Sequence, residues 1–547
     1  MLNNSEIHCD AAAMHQPETR VTSIAIVGSG PTGIYTFFSL LQSATPLSIS
    51  IYEKASEAGI GMPYNDDENS RMMLANIASI ELPPIEESYL DWLQRQDQQW
   101  LVRYGVDKAS LHDRQFLPRI VLGEYFRDQF LLLVKRAREL GFKVDVYEAC
   151  EVTDIEATPQ GVRINSDARP MADIFDFAVI ATGHVWPEQN DATHRYFPSP
   201  WTGLIETEIP ACKVGIMGTS LSAIDAAMAV VAQHGAFIEG DDNRLRFDLD
   251  QDSQRLLITL MSRSGILPEA DFYCPIPYEP LEIATAQAIA REIAIGADRL
   301  LDRVFELIAK QIQAADPDWS SRVSLSELCA DDFADAYFLD RQRHDPFRWA
   351  EYNLQEVQRN KRDKRTVSWR YAILRMHEVV GEIVPHLNQK DRKRFDAGLR
   401  KVFVDNYAAI PSEAIRRLLA LREAGLIEVQ ELGDDYTMKV GEKHTIISVG
   451  EETQVFDVFI DARGQAPLKA KDIPFPSLRR QLLLAGDDIP DIGDDYTLLA
   501  PDIARGKIAL GALPYLLHDQ PFVQGITASA DIGAAIAQAV ISQADIS

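Results

Sequence analysis

Cysteine is scarce in this chain: 547 residues carry five, Cys9, Cys150, Cys212, Cys274 and Cys329, odd in number, far apart and without a C-x-x-C pair. That spacing excludes a disulfide framework and a thioredoxin-type redox pair. Basic side chains are in deficit, with 54 Lys and Arg against 82 Asp and Glu, a formal net charge of −28. Such a field repels phosphate backbones, so no nucleic-acid partner is expected without a strongly localised basic face. The run Lys361-Arg362-Asp363-Lys364-Arg365 alternates in charge within a helical stretch and reads as a solvated helix face. Long apolar runs are also missing: residues 1 to 20 lack the apolar centre of a signal peptide, and no later run approaches membrane-spanning length. A cytoplasmic protein with no membrane partner is expected. None of the 11 His residues forms a His-x-His or His-x-x-x-His pair, which disfavours a zinc or di-iron site, so no metal is expected. A serine hydrolase is disfavoured on the same kind of ground, since no Gly-x-Ser-x-Gly elbow occurs.

What is present suits a large globular protein: 46% of residues are hydrophobic and 25% charged, and the length allows roughly two to four packing units. The wholly apolar run Ile24-Ala25-Ile26-Val27 reads as a parallel strand buried on both faces. It leads into Gly28-Ser29-Gly30-Pro31-Thr32-Gly33, after which Ile34, Phe37, Phe38 and Leu41 fall at helical spacing. A second strand, Ile49 to Tyr52, ends at Glu53. From about 55 to 110 the chain is loop-like, then comes an amphipathic helix near 118 to 140, a strand at Lys143 to Tyr147, and a small antiparallel meander over 151 to 168. Phe177 to Ile180 runs into Ala181-Thr182-Gly183-His184. A second β-α-β unit has Val214 to Met217, the turn Gly218-Thr219-Ser220-Leu221-Ser222-Ala223, and a strand Leu256 to Met261 closed by Ser262-Arg263-Ser264. Residues 281 to 425 are helical and highly charged, strands return at 426 to 429 and 456 to 460, Ile508 to Gly511 is a last strand, and Gln524 to Ser542 a last helix.

In Gly-x-Gly-x-x-Gly the first glycine permits the tight turn, the second lets the backbone approach a pyrophosphate, and the third packs the helix on the strand. Free N–H groups and the dipole of the helix N-terminus then hold the phosphates. Here Gly28, Gly30 and Gly33 take those roles. Glu53 stands at a strand tip 20 positions after Gly33 (53 − 33), where its carboxylate accepts from ribose hydroxyls and rejects a 2′-phosphate. The second turn keeps Gly218 and an allowed Ala223 but places Ser220 where the pyrophosphate approaches; its hydroxyl either bonds a phosphate oxygen or blocks the site. In place of Glu53 it offers Arg263 between two serines, suited to a 2′-phosphate. NADP(H) is expected there, with NADH and a β-α-β unit that binds nothing as the alternatives. Two such turns imply a relay from a nicotinamide to a flavin, with the acidic-tipped first unit the better FAD candidate.

The chain resembles the two-dinucleotide-binding flavoproteins, and among them the bacterial FAD/NAD(P)-binding proteins of the YdhS type, whose relatives include flavin-dependent N-monooxygenases. The residues that carry the likeness are Gly28 to Tyr35, Gly61-Met62-Pro63-Tyr64, Leu74 to Ile77, Leu117-Pro118-Arg119 with Gly123-Glu124-Tyr125, Ala181 to His184, Gly218 to Ala223 and Ser262-Arg263. It implies an α/β fold, a Rossmann-like FAD domain with an inserted Rossmann-like NAD(P) domain and a large helical insertion. The division would be 21–205 for the first part of the FAD domain, 206–280 for the NAD(P) domain, 281–425 for the helical insertion, 426–465 for the NAD(P) return and 466–547 for the rest of the FAD domain. It also implies FAD contacts from Ser29, Thr32, Thr182 and Gly183, with Asp461-Ala462-Arg463-Gly464 as a degenerate second crossing. Gly511 and Gln524 would face the isoalloxazine and its pyrimidine edge.

Without C-x-x-C a disulfide reductase is disfavoured, and His194 to Trp201 does not match the Baeyer-Villiger fingerprint. The expectation is an FAD-dependent, NAD(P)H-using oxidoreductase, monooxygenase-like and acting on a small molecule, with no catalytic residue assigned. A reductase with another acceptor, or a flavin-binding sensor, is the alternative. His184 reads as a bonded structural histidine before a catalytic acid, and Cys274 as a buried thiol before a reactive one. The loop His518 to Pro521 either frames substrate or caps the final helix.

Overall fold

The computed structural model describes residues 21–544 apart from 67–68, 170, 187–192, 194 and 487, so Cys9 and His194 lie outside the described residues. Strand β1 (Ser23–Val27) is buried on both faces, with Ile24, Ala25 and Ile26 fully covered. It pairs in parallel with β2 (Ser48–Tyr52), Ile24 opposite Ile49, through the Pro31–Leu40 helix. Parallel neighbours need such a crossover, and the Arg119–Glu139 helix supplies the next one, to β3 (Lys143–Tyr147). An antiparallel meander of β4 (Val152–Thr158), β5 (Gly161–Ser166) and β6 (Asp173–Phe175) follows, and β7 (Phe177–Ile180) returns beside β1.

Strand β8 (Tyr196–Phe197) already belongs to a second sheet, so the crossing precedes Tyr196, ahead of the expected boundary at 205. Next come β9 (Lys213–Met217), the Leu221–Val231 helix, a hairpin of β10 (Gly235–Glu239) and β11 (Leu245–Leu249), and β12 (Leu257–Ser262) beside β9. Helices then occupy the chain from Ala286 to Glu423. Strand β13 (Ile427–Glu431) pairs with β12, a meander of β14 (Tyr436–Val440), β15 (Thr445–Val449) and β16 (Glu452–Phe456) follows, and β17 (Val458–Asp461) returns beside β9. Strand β18 (Ile508–Leu510) completes the first sheet.

The two parallel sheets run β18-β7-β1-β2-β3 and β8-β17-β9-β12-β13. They share one wiring: a central first strand, a helix, a second and a third strand to one side, an antiparallel meander, and a return strand on the other side. This is the doubly wound α/β arrangement, in which the turn after the central strand sits at the switch in strand order. The sequence-based fold class holds.

The helical region has its own core. Leu300, Leu301, Val304, Ile308 and Ile312 recur on one face of the Leu300–Ala315 helix and share a buried cluster with Ala372, Ile373, Met376 and Val380 of the Ser368–Gly381 helix. The final helix, Gly525–Ala544, packs on the Pro31–Leu40 helix so closely that a Cβ on Gly533 would stand 2.6 Å from the Thr36 nitrogen. Its 20 residues and hydropathy of 1.3 make it long and apolar enough to span a bilayer, which corrects the expectation that no run reaches that length. Its buried Ile526, Ile532 and Ile536 instead join the core of the first sheet.

Three local expectations are corrected. The loop-like 55–110 stretch holds two short helices, Tyr89–Arg95 and Gln98–Arg103, whose N-termini are capped by the Ser88 and Asp97 side chains. The hairpin and the 436–456 meander were missed because their strands alternate with exposed polar residues and lie outside the parallel sheets. The 456–460 strand breaks at Asp457, whose carboxylate and N–H both turn to Lys213, leaving Phe456 in the meander and Val458 in the parallel sheet.

Candidate functional site

At the first turn Gly28 has φ +98°, and a Cβ there would stand 2.4 Å from the Ala181 carbonyl oxygen. A Cβ on Gly33 would stand 2.1 Å from the Gly28 oxygen, so both positions admit only glycine. Gly30 differs. Its φ of −73° and ψ of −173° suit any residue, and a Cβ there would meet only the Gly61 Cα, at 3.5 Å. The protein leaves that space open in front of the free N–H groups of the Pro31–Leu40 helix.

Glu53 is held in place rather than loose. Its Oε2 accepts from the Ser29 nitrogen (3.0 Å) and hydroxyl (2.7 Å), and its Oε1 from the Ala55 nitrogen (3.0 Å). These charge-assisted bonds orient the carboxylate at the tip of β2 and leave lone pairs for further donors. The Ser29 hydroxyl also accepts from Gly59 N–H at 2.8 Å. Thr182 lies beside Gly28, and its hydroxyl is buried without a hydrogen-bond partner among the described residues, while the space beyond Gly183 is open. Thr32 is packed against Gly511, whose N–H reaches the Ile180 oxygen at 2.9 Å. The structure thus brings Gly28, Ser29, Gly30, Thr32, Gly33, Glu53, Thr182, Gly183 and Gly511 together at one sheet edge. Gln524 has different company: its amide donates to the Tyr407 hydroxyl of the helical region at 2.6 Å.

At the second turn Gly218 has φ +132°, Ala223 is fully buried, and a Cβ on Gly218 would stand 3.1 Å from the Ala462 oxygen, a looser version of the 2.4 Å approach of Gly28 to Ala181. Ser220 has φ −93° and ψ −167°, nearly the backbone of Gly30, so serine is unstrained there; it is exposed and makes no cap bond. Arg263 is 72% exposed at the tip of β12. Asp434, brought in from the stretch after β13, stands 3.6 Å away, so Arg263 is not the lone charge at that tip. Both side chains are in water, where such a pair contributes about 0–1 kcal/mol. Arg263 therefore stays available to an anion. Arg463, after Ala462, is held by Asp461 at 2.8 and 2.5 Å.

A family model described as FAD-NAD(P)-binding matches residues 25–185, and one described as YdhS-like middle domain matches residues 285–407. The protein named Uncharacterized protein YdhS of Escherichia coli (strain K12) is 64% identical over 521 residues, covering 95% of this chain and 98% of that protein. This chain belongs to the YdhS family. Among solved structures it is similar to the Kutzneria sp. 744 ornithine N-hydroxylase, at 16% identity and TM-score 0.48, covering 96% of this chain and 99% of that one. The L-lysine 6-monooxygenase of Pseudomonas syringae gives 14% and 0.49, covering 96% and 100%. Likeness at these values carries nothing about chemistry.

The FAD-NAD(P)-binding match over residues 25–185 makes FAD and NAD(P)(H) the cofactors of the chain, the set of a flavin-dependent oxidoreductase. The first turn fits a dinucleotide on two independent observations, the space in front of Gly30 and the orphaned Thr182 hydroxyl. The middle-domain match falls within the helical insertion of the YdhS fold, and that insertion is docked on the loop before the final helix. Phe522 packs against Phe395, Phe403 and Tyr407, and Arg392 donates to the His518 carbonyl at 2.9 Å. The His518 ring bonds the Leu468 carbonyl at 3.0 Å, so this loop is pinned from both sides.

His184 bonds Gln465 at 2.9 Å, tying the two crossings of the chain together, and desolvation lowers its pKa. Burial pushes the Cys274 thiol up to about 12, which makes it unreactive. Lys361 pairs with Asp271 at 2.8 Å, and Arg362 with Asp363 at 3.0 Å. No cluster of metal-ligating side chains occurs among the described residues. The sequence reading missed Asp225, which is buried and meets Arg119 at 2.6 Å. The signal was there: Asp225 is the one charge in the otherwise apolar helix Leu221–Val231.

Proposed function

We propose that this chain is an NADPH-using, FAD-dependent oxidoreductase of the cytoplasm, in which the first turn holds FAD and the second NADP(H). One observation carries the reading: the same wiring is built twice, with a fixed carboxylate at one strand tip and an exposed guanidinium at the corresponding tip. A carboxylate accepts from ribose hydroxyls and repels a 2′-phosphate; a guanidinium binds it. Bound FAD supplies two-electron acceptance from a nicotinamide and onward transfer. The chain's own part is to bind and to exclude water. Gly28, Gly30 and Gly33 with Ser29, Thr32, Thr182 and Gly183 line the FAD site, Glu53 orients the ribose, and Gly218, Ser220 and Ala223 with Arg263 hold the second dinucleotide. Gly511 backs the first turn, and Gln524 fixes the start of the final helix to the insertion.

The finer reading is oxygenation of a small molecule. What supports it is the docking of the helical insertion on the 518–524 loop, which would help keep water from a reduced cofactor beside that loop. The four described cysteines are all unpaired, as a reducing compartment requires.

The test is the purified protein mixed anaerobically with each nucleotide. A yellow protein bleached faster by NADPH than by NADH is the expected result. A colourless protein that cannot be reconstituted with FAD overturns the reading, and a yellow one bleached by neither nucleotide is a flavin-binding sensor. Stoichiometric peroxide on reoxidation across a panel of small amines and acids would replace oxygenation by a reductase activity.

A further inference from the structure

Asp225 is 5% exposed and lies in the helix that opens at Ser220, so it moves with the second dinucleotide turn. Arg119 begins the long helix of the first sheet, and its Nη2 donates to Asp225 Oδ2 at 2.6 Å while its Nε donates to the Leu74 carbonyl at 3.2 Å. The guanidinium also lies 5.3 Å over the Trp201 ring, which follows the first crossing. A third element enters from the last helix of the insertion, where Arg417 donates to the Met72 carbonyl at 2.6 Å and adds its positive field at Asp225. Met73, between those two carbonyls, belongs to the first unit in sequence but is fully buried in the core of the second. Three parts of the chain therefore converge on one carboxylate.

We infer that Asp225 and Arg119 form a positioning latch that sets the second dinucleotide turn against the first. The inference rests on the assignment of the two turns given above. Hydride transfer needs reacting atoms about 3–3.5 Å apart and aligned, so small errors in the angle between the units cost rate without costing affinity. A charge pair with little water around it suits this task, because its partners cannot slide without exposing an uncompensated charge. Neither residue touches a dinucleotide turn directly in the way Ser29 or Ser220 does, which makes them positioning residues.

The test uses the full chain loaded with FAD. In Asp225→Asn the limiting rate of anaerobic flavin reduction is expected to fall about tenfold or more, with half-saturating NADPH and flavin content unchanged. Asp225→Glu should recover part of the rate, and Arg119→Lys, which keeps the charge but loses the fork, should fall between them. Backbone amide exchange supplies a readout free of turnover. Ala75 N–H bonds the Leu117 carbonyl at 2.8 Å and Arg119 N–H the Met73 carbonyl at 2.9 Å, and both should exchange faster in Asp225→Asn. A rate within about twofold of wild type overturns the latch, as does parallel loss of rate, NADPH affinity and flavin, which marks a general folding defect. If Asp225→Asn does not fold, Arg119→Lys carries the same comparison. Should wild type be reduced by neither nucleotide, the functional reading fails, and the exchange data decide the latch: unchanged protection at Ala75 and Arg119 overturns it.

Discussion

The turn at Gly28–Gly33 and the turn at Gly218–Ala223 leave sheets of matching strand order, and in both the first glycine takes positive φ against a crossing strand. They differ at the second glycine position and at the strand tip. Ser220 adopts nearly the backbone of Gly30 without strain, so the backbone does not require glycine at either place. What glycine does at Gly30 is leave open the space in front of it, bounded by Gly61. The glycines of such a motif thus have separable causes: the fold requires Gly28 and Gly33, whereas neither backbone nor packing requires Gly30. At the tips, Glu53 is tied into the turn by Ser29, while Arg263 is exposed to water and pairs loosely with an equally exposed Asp434 at 3.6 Å. One unit is preorganised by its own carboxylate; the other leaves its cation solvated and adaptable.

This contrast can be broken in graded steps. The largest effect belongs to Gly30→Val, which should purify colourless and remain so with added FAD, while the thermal midpoint of the flavin-free protein moves little, since Ser220 shows that a side chain is tolerated there. A large fall in that midpoint would mean Gly30 serves the fold after all. Next, Arg263→Ala should raise the Michaelis constant for NADPH about tenfold or more and that for NADH by much less, as loss of a charge-assisted bond of about 1.5–3 kcal/mol predicts. Equal effects on the two nucleotides would remove Arg263 as the discriminator. Glu53→Ala should weaken FAD by about 1–3 kcal/mol, read as flavin lost on dilution, through the ribose bonds and the loosened Ser29. Smallest is Ser220→Gly, which makes the second turn regular and should change NADPH affinity by about threefold or less. A gain of tenfold or more would show that the serine obstructs the site.

Much of this architecture was legible. A short run such as Ile24 to Val27, apolar without alternation, has only one comfortable place, the middle of a parallel sheet, and the glycine turn and acidic strand tip that follow meet in the fold, Ser29 against Glu53. The helical region was legible from its periodicity. Less so were β10, β11 and the 436–456 meander, whose residues alternate between partial burial and water, and the helices at 89–103, which depend on side-chain caps at Ser88 and Asp97 within a proline-marked stretch. The bond from Gln524 to Tyr407 of the helical region, beside the packed Phe522, had no signal in the sequence.

The sequence by itself determined the elements whose cause is local: the buried strands, the two glycine turns and the opposite charges at their tips. Each follows from a few neighbouring residues and the period of their side chains. Only the tertiary structure decided that Thr182 stands unpartnered beside Gly28, that Met73 enters the core of the other unit, and that Asp225 meets Arg119 from 106 positions away. Those contacts depend on how whole sheets and helices pack, and a buried charge is stable only where packing delivers its partner.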